Sequence, residues 1–450
     1  MADVRRTGER LLLAFLIARL GLCLLTVAEP DGGVFPDSIG YLALAQGLLE
    51  NGRYGVQPDG EADMLHPPAY SGFLALLQWA WGPERAKITF VQLLMSGLTS
   101  WLLVLAGRRF GKPSVGLIAG WLYALSPNVA VWSLTVMTEV SFALALLLLV
   151  LLAATSNAPP LIWAGGAGAL LGLLAYHRTV AMALMPVWAA IAAWSLWPSQ
   201  GKRKAATAGG LLLVTGALVV LPWAYRNWAT YEQFTFSTGM SRSMIAFNLA
   251  EVVARAEGTS RNRAVASLDP ALGAPRLTLQ VLQKYPAPFL KAQVLGVARS
   301  VVGTDIGTWG NVLGHDTWTG LGLLSGAFWG SLDEGGLGLG PASDPAFWTR
   351  AGLLSYSLLH SGVLIVLAAI GILGHRSEGR AERLFVALAL GSSAVLLLLP
   401  GAVGNARFRV PAEPYLAMLA GFGGLIVTQR LQAWRRRQTA AGPAAARLQG

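Results

Sequence analysis

Ten stretches of mostly apolar residues, each about 17 to 23 long, constrain this chain more than any other feature of its sequence. They run over residues 10–28, 86–107, 113–130, 138–154, 160–177, 179–197, 205–224, 351–373, 384–400 and 412–429. A helix needs ~20 such residues to cross the hydrocarbon core of a bilayer. Hydrophobic residues make up 54% of the chain and charged ones 13%, about half the ~25% of a soluble globular protein. Such a chain cannot cover a water-facing surface. The sequence therefore predicts an all-α polytopic membrane protein of about ten transmembrane helices, with amphipathic helices on its outer face. A cytosolic enzyme, a disordered chain and a secreted disulfide scaffold are excluded. Cys23 is the only cysteine, so neither an intramolecular disulfide nor a cysteine zinc site is available.

The net charge of +11 is first a topology signal. Basic clusters stand at Arg5, Arg6 and Arg10; at Arg108, Arg109 and Lys112; at Lys202, Arg203 and Lys204; at Arg376, Arg380 and Arg383; and at Arg430, Arg435, Arg436 and Arg437. With the N-terminus inside, all five fall on the cytoplasmic side of an inner (plasma) membrane, and both termini are cytoplasmic. Nucleic acid is not an expected partner; membrane lipids are. The expected organisation has four parts. Residues 1–225 form an N-terminal transmembrane module that includes the loop 29–85. Residues 226–350 form a periplasmic loop region with an interfacial helix at 284–302. Residues 351–430 form a three-helix C-terminal module, and residues 431–450 a basic, disordered tail.

Gly166, Gly168 and Gly172 have the spacing of a nucleotide fingerprint but lie inside an apolar span. There Gly168 and Gly172 read as a small-xxx-small pair for close helix packing. Neither a P-loop nor a Rossmann context accompanies them. Arg19 sits within the first span, where an ion is expensive and needs a partner, such as a backbone carbonyl of a neighbouring helix.

The first outer loop is acidic, with eight carboxylates and two basic residues between positions 29 and 85. Asp37 to Glu50 has helical periodicity ended by Gly52. Pro67 and Pro68 open a second amphipathic segment that ends near Gly82. Asp37 thus stands at a helix start just past the first span. It reads either as an N-cap or as a carboxylate general base at the membrane–water boundary.

Asp37, Tyr41, Ala45, Gly52 and the element Pro67-Pro68-Ala69-Tyr70 together resemble the first periplasmic loop of GT-C glycosyltransferases. The branch is that of protein O-mannosyltransferases and bacterial aminoarabinose transferases, which take sugars from polyprenyl phosphate. The resemblance continues at Thr138-Glu139, at Pro222-Trp223 and Arg226-Asn227, and at Ala406 to Pro411 with Glu413-Pro414. His66 stands where many relatives have Lys or Arg. The resemblance implies Asp37 and Glu139 as catalytic carboxylates, with Tyr41 one turn on from Asp37; Asp63 and His66 are further supporting candidates from the loop itself. It favours Arg226 and Arg407 as ligands of the donor phosphate. Arg178 and Arg409 lie at the same membrane level, where a planar guanidinium either snorkels to headgroups or clamps a lipid phosphate. Asp63 and His66 offer an oxygen/nitrogen pair suited to a divalent metal, against the plainer reading of a satisfied loop histidine. The cofactor stays open.

Two functions from different classes fit. The first is a membrane glycosyltransferase that moves a sugar from a polyprenyl-phosphate donor to a hydroxyl of a lipid or glycan acceptor, on the outer side, by inverting displacement. The second is a secondary transporter or lipid flippase. Its usual internal repeat is not visible here, since seven spans precede the long outer segment and three follow it.

Overall fold

The computed structural model describes residues 2–26, 33–55, 63–313, 343 and 347–446, whose regular structure is all helix with no strand among the described residues. Helix α1 (Ala2–Thr26) leads to the two helices of the first loop, α2 (Pro36–Asn51) and α3 (Pro68–Trp81). Then come α4 (Arg85–Arg109), α5 (Pro113–Ala124), α6 (Pro127–Ser133), α7 (Glu139–Thr155), α8 (Pro160–Ala175) and α9 (Val180–Tyr231). The second long loop folds into α10 (Thr238–Ser243), a π turn, α11 (Ala250–Glu257), α12 (Arg261–Ser267), α13 (Gly273–Lys284), α14 (Pro286–Val302) and α15 (Ile306–Val312). Helices α16 (Phe347–Gly374), α17 (Arg380–Leu398) and α18 (Glu413–Ala446) complete the described chain. Proline occupies the first helical position of α2, α3, α5, α6 and α8, where its missing N–H has no partner to lose.

Among the described residues the expected apolar segments fall largely on helix, but length and composition do not reproduce ten spans. Among the described residues four helices are long and apolar enough to cross a membrane, or five if the bent pair α5–α6 counts as one span. One of the four is α9, whose 52 residues would stretch ~78 Å if straight, far beyond a ~30 Å hydrocarbon core. It breaks at Gly201, where φ is 78°, a conformation open to glycine. The two arms fold back on each other, with Gly209 against Ala189 and Gly216 against Met185. The pair Gly168 and Gly172 acts as the packing reading requires: an added Cβ on Gly168 would lie 2.1 Å from the carbonyl oxygen of Leu212 in the second arm.

The segment 113–130, read as one span, is bent by 57° between α5 and α6. Helix α5 ends one residue before Ser126-Pro127, which leaves carbonyls exposed inside an apolar bundle, where each needs a donor. Three side chains supply one. Arg19 donates to the Ala124 carbonyl at 3.0 Å, His360 Nε2 to that of Leu122 at 2.8 Å, and Tyr356 to that of Leu125. The intramembrane arginine is therefore the partner of a backbone carbonyl.

Helix α7 is apolar on every side and buried along most of its length, as expected of a helix at the centre of a bundle. Its first residue, Glu139, is consequently carried into the interior, with 0% exposure. A second, smaller core joins the π turn, α11, α13 and α14 to Ala402. Here α14 runs directly onto the loop 401–409: an added Cβ on Gly296 would lie 1.8 Å from the Gly401 carbonyl oxygen. The tail expected to be disordered from residue 431 is helical as far as Ala446, in keeping with the helix propensity of its Ala, Arg and Gln residues.

Candidate active site

The polar residues singled out in the sequence gather at the end of the bundle that carries α2 and α3. Asp37 is in the first turn of α2 after Pro36, and its side chain makes no capping bond, so the N-cap reading does not hold. Ser38 takes that role: its hydroxyl accepts from Phe35 N–H at 3.0 Å and reaches the Met137 sulfur at 3.4 Å, docking α2 on the turn before α7. Asp37 is left half exposed, with its carboxylate turned toward the loop before α18.

On that loop a short 3₁₀ turn, Ala406–Arg409, begins with the Asn405 side chain accepting from Arg407 N–H at 2.8 Å. Arg407 Nη1 and Nη2 each lie 3.3 Å from Asp37 Oδ2. Its Nε donates to Glu139 Oε1 at 2.5 Å, and the same oxygen accepts from Arg178 Nη1 at 2.6 Å. Arg178, on the turn between α8 and α9, also bonds the Thr138 hydroxyl at 2.7 Å. Two carboxylates and two guanidiniums thus alternate, with no net charge, from the exposed Asp37 to the buried Glu139. Glu139 Oε2 is buried without a hydrogen bond among the described residues. Burial works against the charge of Arg407, but Glu139 and Asp37 outweigh it and hold the guanidinium above the ordinary arginine range.

Tyr41, one turn beyond Asp37, is almost buried, and burial pushes its phenol up to about 12. It is therefore a neutral hydrogen-bonding group at physiological pH. Its ring meets His66 edge-on at 4.8 Å and Tyr70 at 5.0 Å. Through His66 it touches a second cluster. Asp63 Oδ2 accepts from His66 N–H at 2.6 Å and lies 3.4 Å from His66 Nδ1. Arg226 donates to the Asp63 carbonyl at 3.1 Å and to Asn227 Oδ1 at 2.7 Å, and lies over the rings of Trp223 (4.7 Å) and Tyr231 (5.8 Å). Alone among the four arginines, it has no carboxylate partner among the described residues. Asp63 and His66 pair with each other rather than with Asp37 or Glu139, and the described residues contain no group of three His, Cys, Asp or Glu suited to a metal ion.

Arg409 points inward. It is 2% exposed and bonds Glu413 at 3.0 Å, the Gly303 carbonyl at 3.3 Å and the Val301 carbonyl. Its guanidinium is engaged by groups of its own loop and of the segment 301–303. Two residues absent from the sequence reading complete the site. Trp132 of α6 lies beneath Arg407, its ring centre 5.3 Å from the guanidinium, and stacks on Phe35 at 5.6 Å. Its indole N–H donates to Asp305 Oδ2 at 2.5 Å. Asp305 is the one acid in the stretch 286–313, a signal the sequence did carry.

An apolar cavity of about 410 Å³ opens between α3, α7 and α8. Ala145, Leu148 and Leu152 line one side and Leu170 and Leu173 the other, with Ala69 and His177 at the rim. Tyr176 carries this rim to the second cluster: its carbonyl accepts from Ala69 N–H at 2.9 Å, and its ring packs on Trp223 at 6.0 Å.

Residues 65–225 match the family model of dolichyl-phosphate-mannose-protein mannosyltransferases. The match takes in Glu139 and Arg178 and stops one residue short of Arg226. No significant match exists among curated proteins. The Archaeoglobus fulgidus oligosaccharyltransferase in its apo form superimposes with a TM-score of 0.51 at 17% identity, over 97% of this chain and 52% of that one. It is a GT-C membrane protein. This chain has the GT-C fold. The resemblance read in the sequence is thereby borne out, for a protein that spans about half the length of the oligosaccharyltransferase. ArnT from Cupriavidus metallidurans bound to undecaprenyl phosphate is 15% identical, over 92% of this chain and 76% of that one, with a TM-score of 0.41.

Proposed function

We propose that this GT-C protein is a glycosyltransferase of the inner membrane. It transfers a sugar from a polyprenyl-phosphate donor to a hydroxyl of a lipid or glycan acceptor at its periplasmic face. The observation that carries the proposal is the half-exposed carboxylate of Asp37, held on the buried framework of Arg407, Glu139 and Arg178. A base must meet its substrate, and its orientation must be fixed by groups that do not move with it. The donor class is supported by the match of residues 65–225 to a family described by dolichyl-phosphate mannose, itself a polyprenyl-phosphate sugar. It is supported also by the apolar cavity, whose rim is one side chain from Trp223 and Arg226.

In the proposed reaction the acceptor oxygen attacks the anomeric carbon as its proton passes to Asp37. The bond from that carbon to the phosphate oxygen breaks, and its electron pair leaves with the lipid phosphate. An inverting displacement places the entering and leaving oxygens on opposite faces of the sugar. Base and phosphate ligand must then be separated by the ring. Arg407 is bonded to Asp37 and cannot be far from the base, so its role is to orient that carboxylate. Arg226, with no carboxylate of its own, is the better phosphate ligand, and the sugar would lie over Tyr41 and His66 between them. Charge developing on the phosphate then falls on a guanidinium already fixed in place.

Purified protein in detergent, given polyprenyl-phosphate-linked labelled mannose and an envelope extract, is expected to move label to the extract with release of polyprenyl phosphate. Lipid movement across sealed vesicles without release of sugar would replace this reading with that of a flippase.

A further inference from the structure

Asp305 belongs to the second long loop, and the proposed reaction uses no other residue beyond Arg226, at the end of α9, until Arg407. We infer that Asp305 is a positioning residue, acting through the indole of Trp132 on the Arg407 guanidinium that holds Asp37. This inference rests on the reading of Asp37 as the base.

The contacts form one continuous stack. Asp305 Oδ2 accepts from Trp132 Nε1, the Trp132 ring lies 5.3 Å from the Arg407 guanidinium, and Arg407 lies 3.3 Å from Asp37 Oδ2. Both inner members are firmly held: Asp305 is 7% and Trp132 4% exposed. Trp132 also stacks on Phe35, the residue that caps α2 two positions before Asp37, so it touches the start of the base's helix as well as the base's partner. A negative group at the indole N–H makes the ring face more electron-rich, which strengthens its attraction for a cation. The charged groups facing Asp305 are Arg409, Arg407 and Glu413. Burial raises its pKa to about 6, against the pull of the Trp132 bond and the two arginines. A neutral acceptor would satisfy an indole N–H equally well. A carboxylate that is ionised at neutral pH despite its burial is what a device acting on Arg407 requires.

The loop has the anchorage such a device needs. The Gly303 carbonyl receives Arg409, and the Asp305 carbonyl accepts from Trp309 N–H at 3.0 Å. The second long loop is thereby fastened beneath the same turn, Ala406–Arg409, that carries Arg407.

The test uses the full chain in detergent and the variants Asp305→Ala, Asp305→Asn, Trp132→Phe and Arg407→Ala. The first readout is carbodiimide labelling of Asp37 at pH 7.5, followed by mass spectrometry. Release of Arg407 should raise labelling, since an ion-paired carboxylate is shielded from the reagent. Asp305→Ala and Trp132→Phe are expected to raise it roughly three- to tenfold, the range of a weakened charged contact. Asp305→Asn, which keeps an acceptor and loses the charge, should fall between them and the wild type. In the Arg407→Ala background, Asp305→Ala should add nothing. Should Asp305→Ala fail to fold, Trp132→Phe alone gives the same readout. The second readout is transfer from polyprenyl-phosphate mannose to an envelope extract, in which kcat should fall while donor KM stays unchanged. Wild-type labelling of Asp37 in both Asp305→Ala and Trp132→Phe overturns the inference. Absence of transfer by the wild type overturns only the functional reading, and the labelling still decides this one.

Discussion

Arg407 and Asp37, 370 positions apart in sequence, meet through two guanidinium nitrogens that both lie 3.3 Å from one carboxylate oxygen. The contact sits at the open edge of the site, while the other side of Arg407 is anchored to the fully buried Glu139. The arginine thus transmits the rigidity of the central helix to an exposed carboxylate. A half-exposed pair of this kind contributes little stability, whereas a buried charge left without its partners is costly.

Glu139→Gln therefore separates stability from chemistry. The amide leaves Arg178 and Arg407 facing each other with no anion between them. Breaking a buried pair typically costs ~3–5 kcal/mol. Thermal unfolding in detergent should show Glu139→Gln melting well below Asp37→Asn. Equal melting temperatures would mean that Glu139 does not hold the two arginines.

Arg226 and Arg409 should behave oppositely. Arg226→Ala removes a guanidinium that rests on ring faces, a carbonyl and an amide, so folding should survive. Donor KM should rise roughly tenfold, the value of one charged hydrogen bond. Arg409→Ala strands the buried Glu413, and its main effect should be loss of folded protein. Unchanged donor kinetics in Arg226→Ala would remove it from the phosphate site.

Much of the site was legible because its residues sit at the ends of apolar runs, where charged side chains stand out. Asp37, Glu139, Arg178 and Arg407 are such residues, and the structure brings them together. Their pairing was not legible, since no local pattern joins position 37 to position 407. Trp132 was hidden within an apolar run, where an aromatic side chain is unremarked. Asp305 was visible only as a single acid in a long apolar stretch. The 57° bend within 113–130 is not visible in hydropathy, and its one local signal is Pro127, since proline favours the first turn of a new helix. The N-cap reading of Asp37 failed because Pro36 already opens the helix and Ser38 supplies the side-chain bond to Phe35.

The proposed orientation, with both termini cytoplasmic, rests on the five basic clusters. Reporter fusions placed after Lys204 and within residues 255–265 are expected on opposite sides of the membrane, the first cytoplasmic. Two reporters on one side would sink this topology, and a cytoplasmic reporter within 255–265 would remove the site from the periplasmic face.

Asp305 makes stability depend on pH in a direction that can be stated. Its folded pKa of about 6 lies above the ~3.9 of an unfolded aspartate, so the folded state binds more protons between these values. Stability from this group is present below pH ~4 and is lost as pH rises through about 6, by at most ~3 kcal/mol. Asp305→Asn cannot ionise and escapes that loss. Its melting temperature, measured relative to wild type, should climb between about pH 4 and 6 and level off above that. A pH-independent difference would place the Asp305 carboxyl in a less costly environment. Gain of stability with loss of turnover is the usual sign of a residue kept for function.

Asp37→Asn is the sharpest test of the chemistry. Asn keeps the size of the side chain and one oxygen that can accept from Arg407, and the start of α2 does not depend on it, because Ser38 makes the terminal bond. What it removes is the ability to take a proton. A hydroxyl is a poor nucleophile, and a positioned base contributes about 10²- to 10⁴-fold to such a step. The variant is expected to fold and bind polyprenyl phosphate normally, with kcat reduced by at least about a hundredfold. If Asp37 served only to seat Arg407, Asn would retain most of the activity. Activity within a few-fold of wild type would pass the role of base to another group, and the buried Glu139, held by two arginines, would be its nearest carboxylate in the chain of contacts.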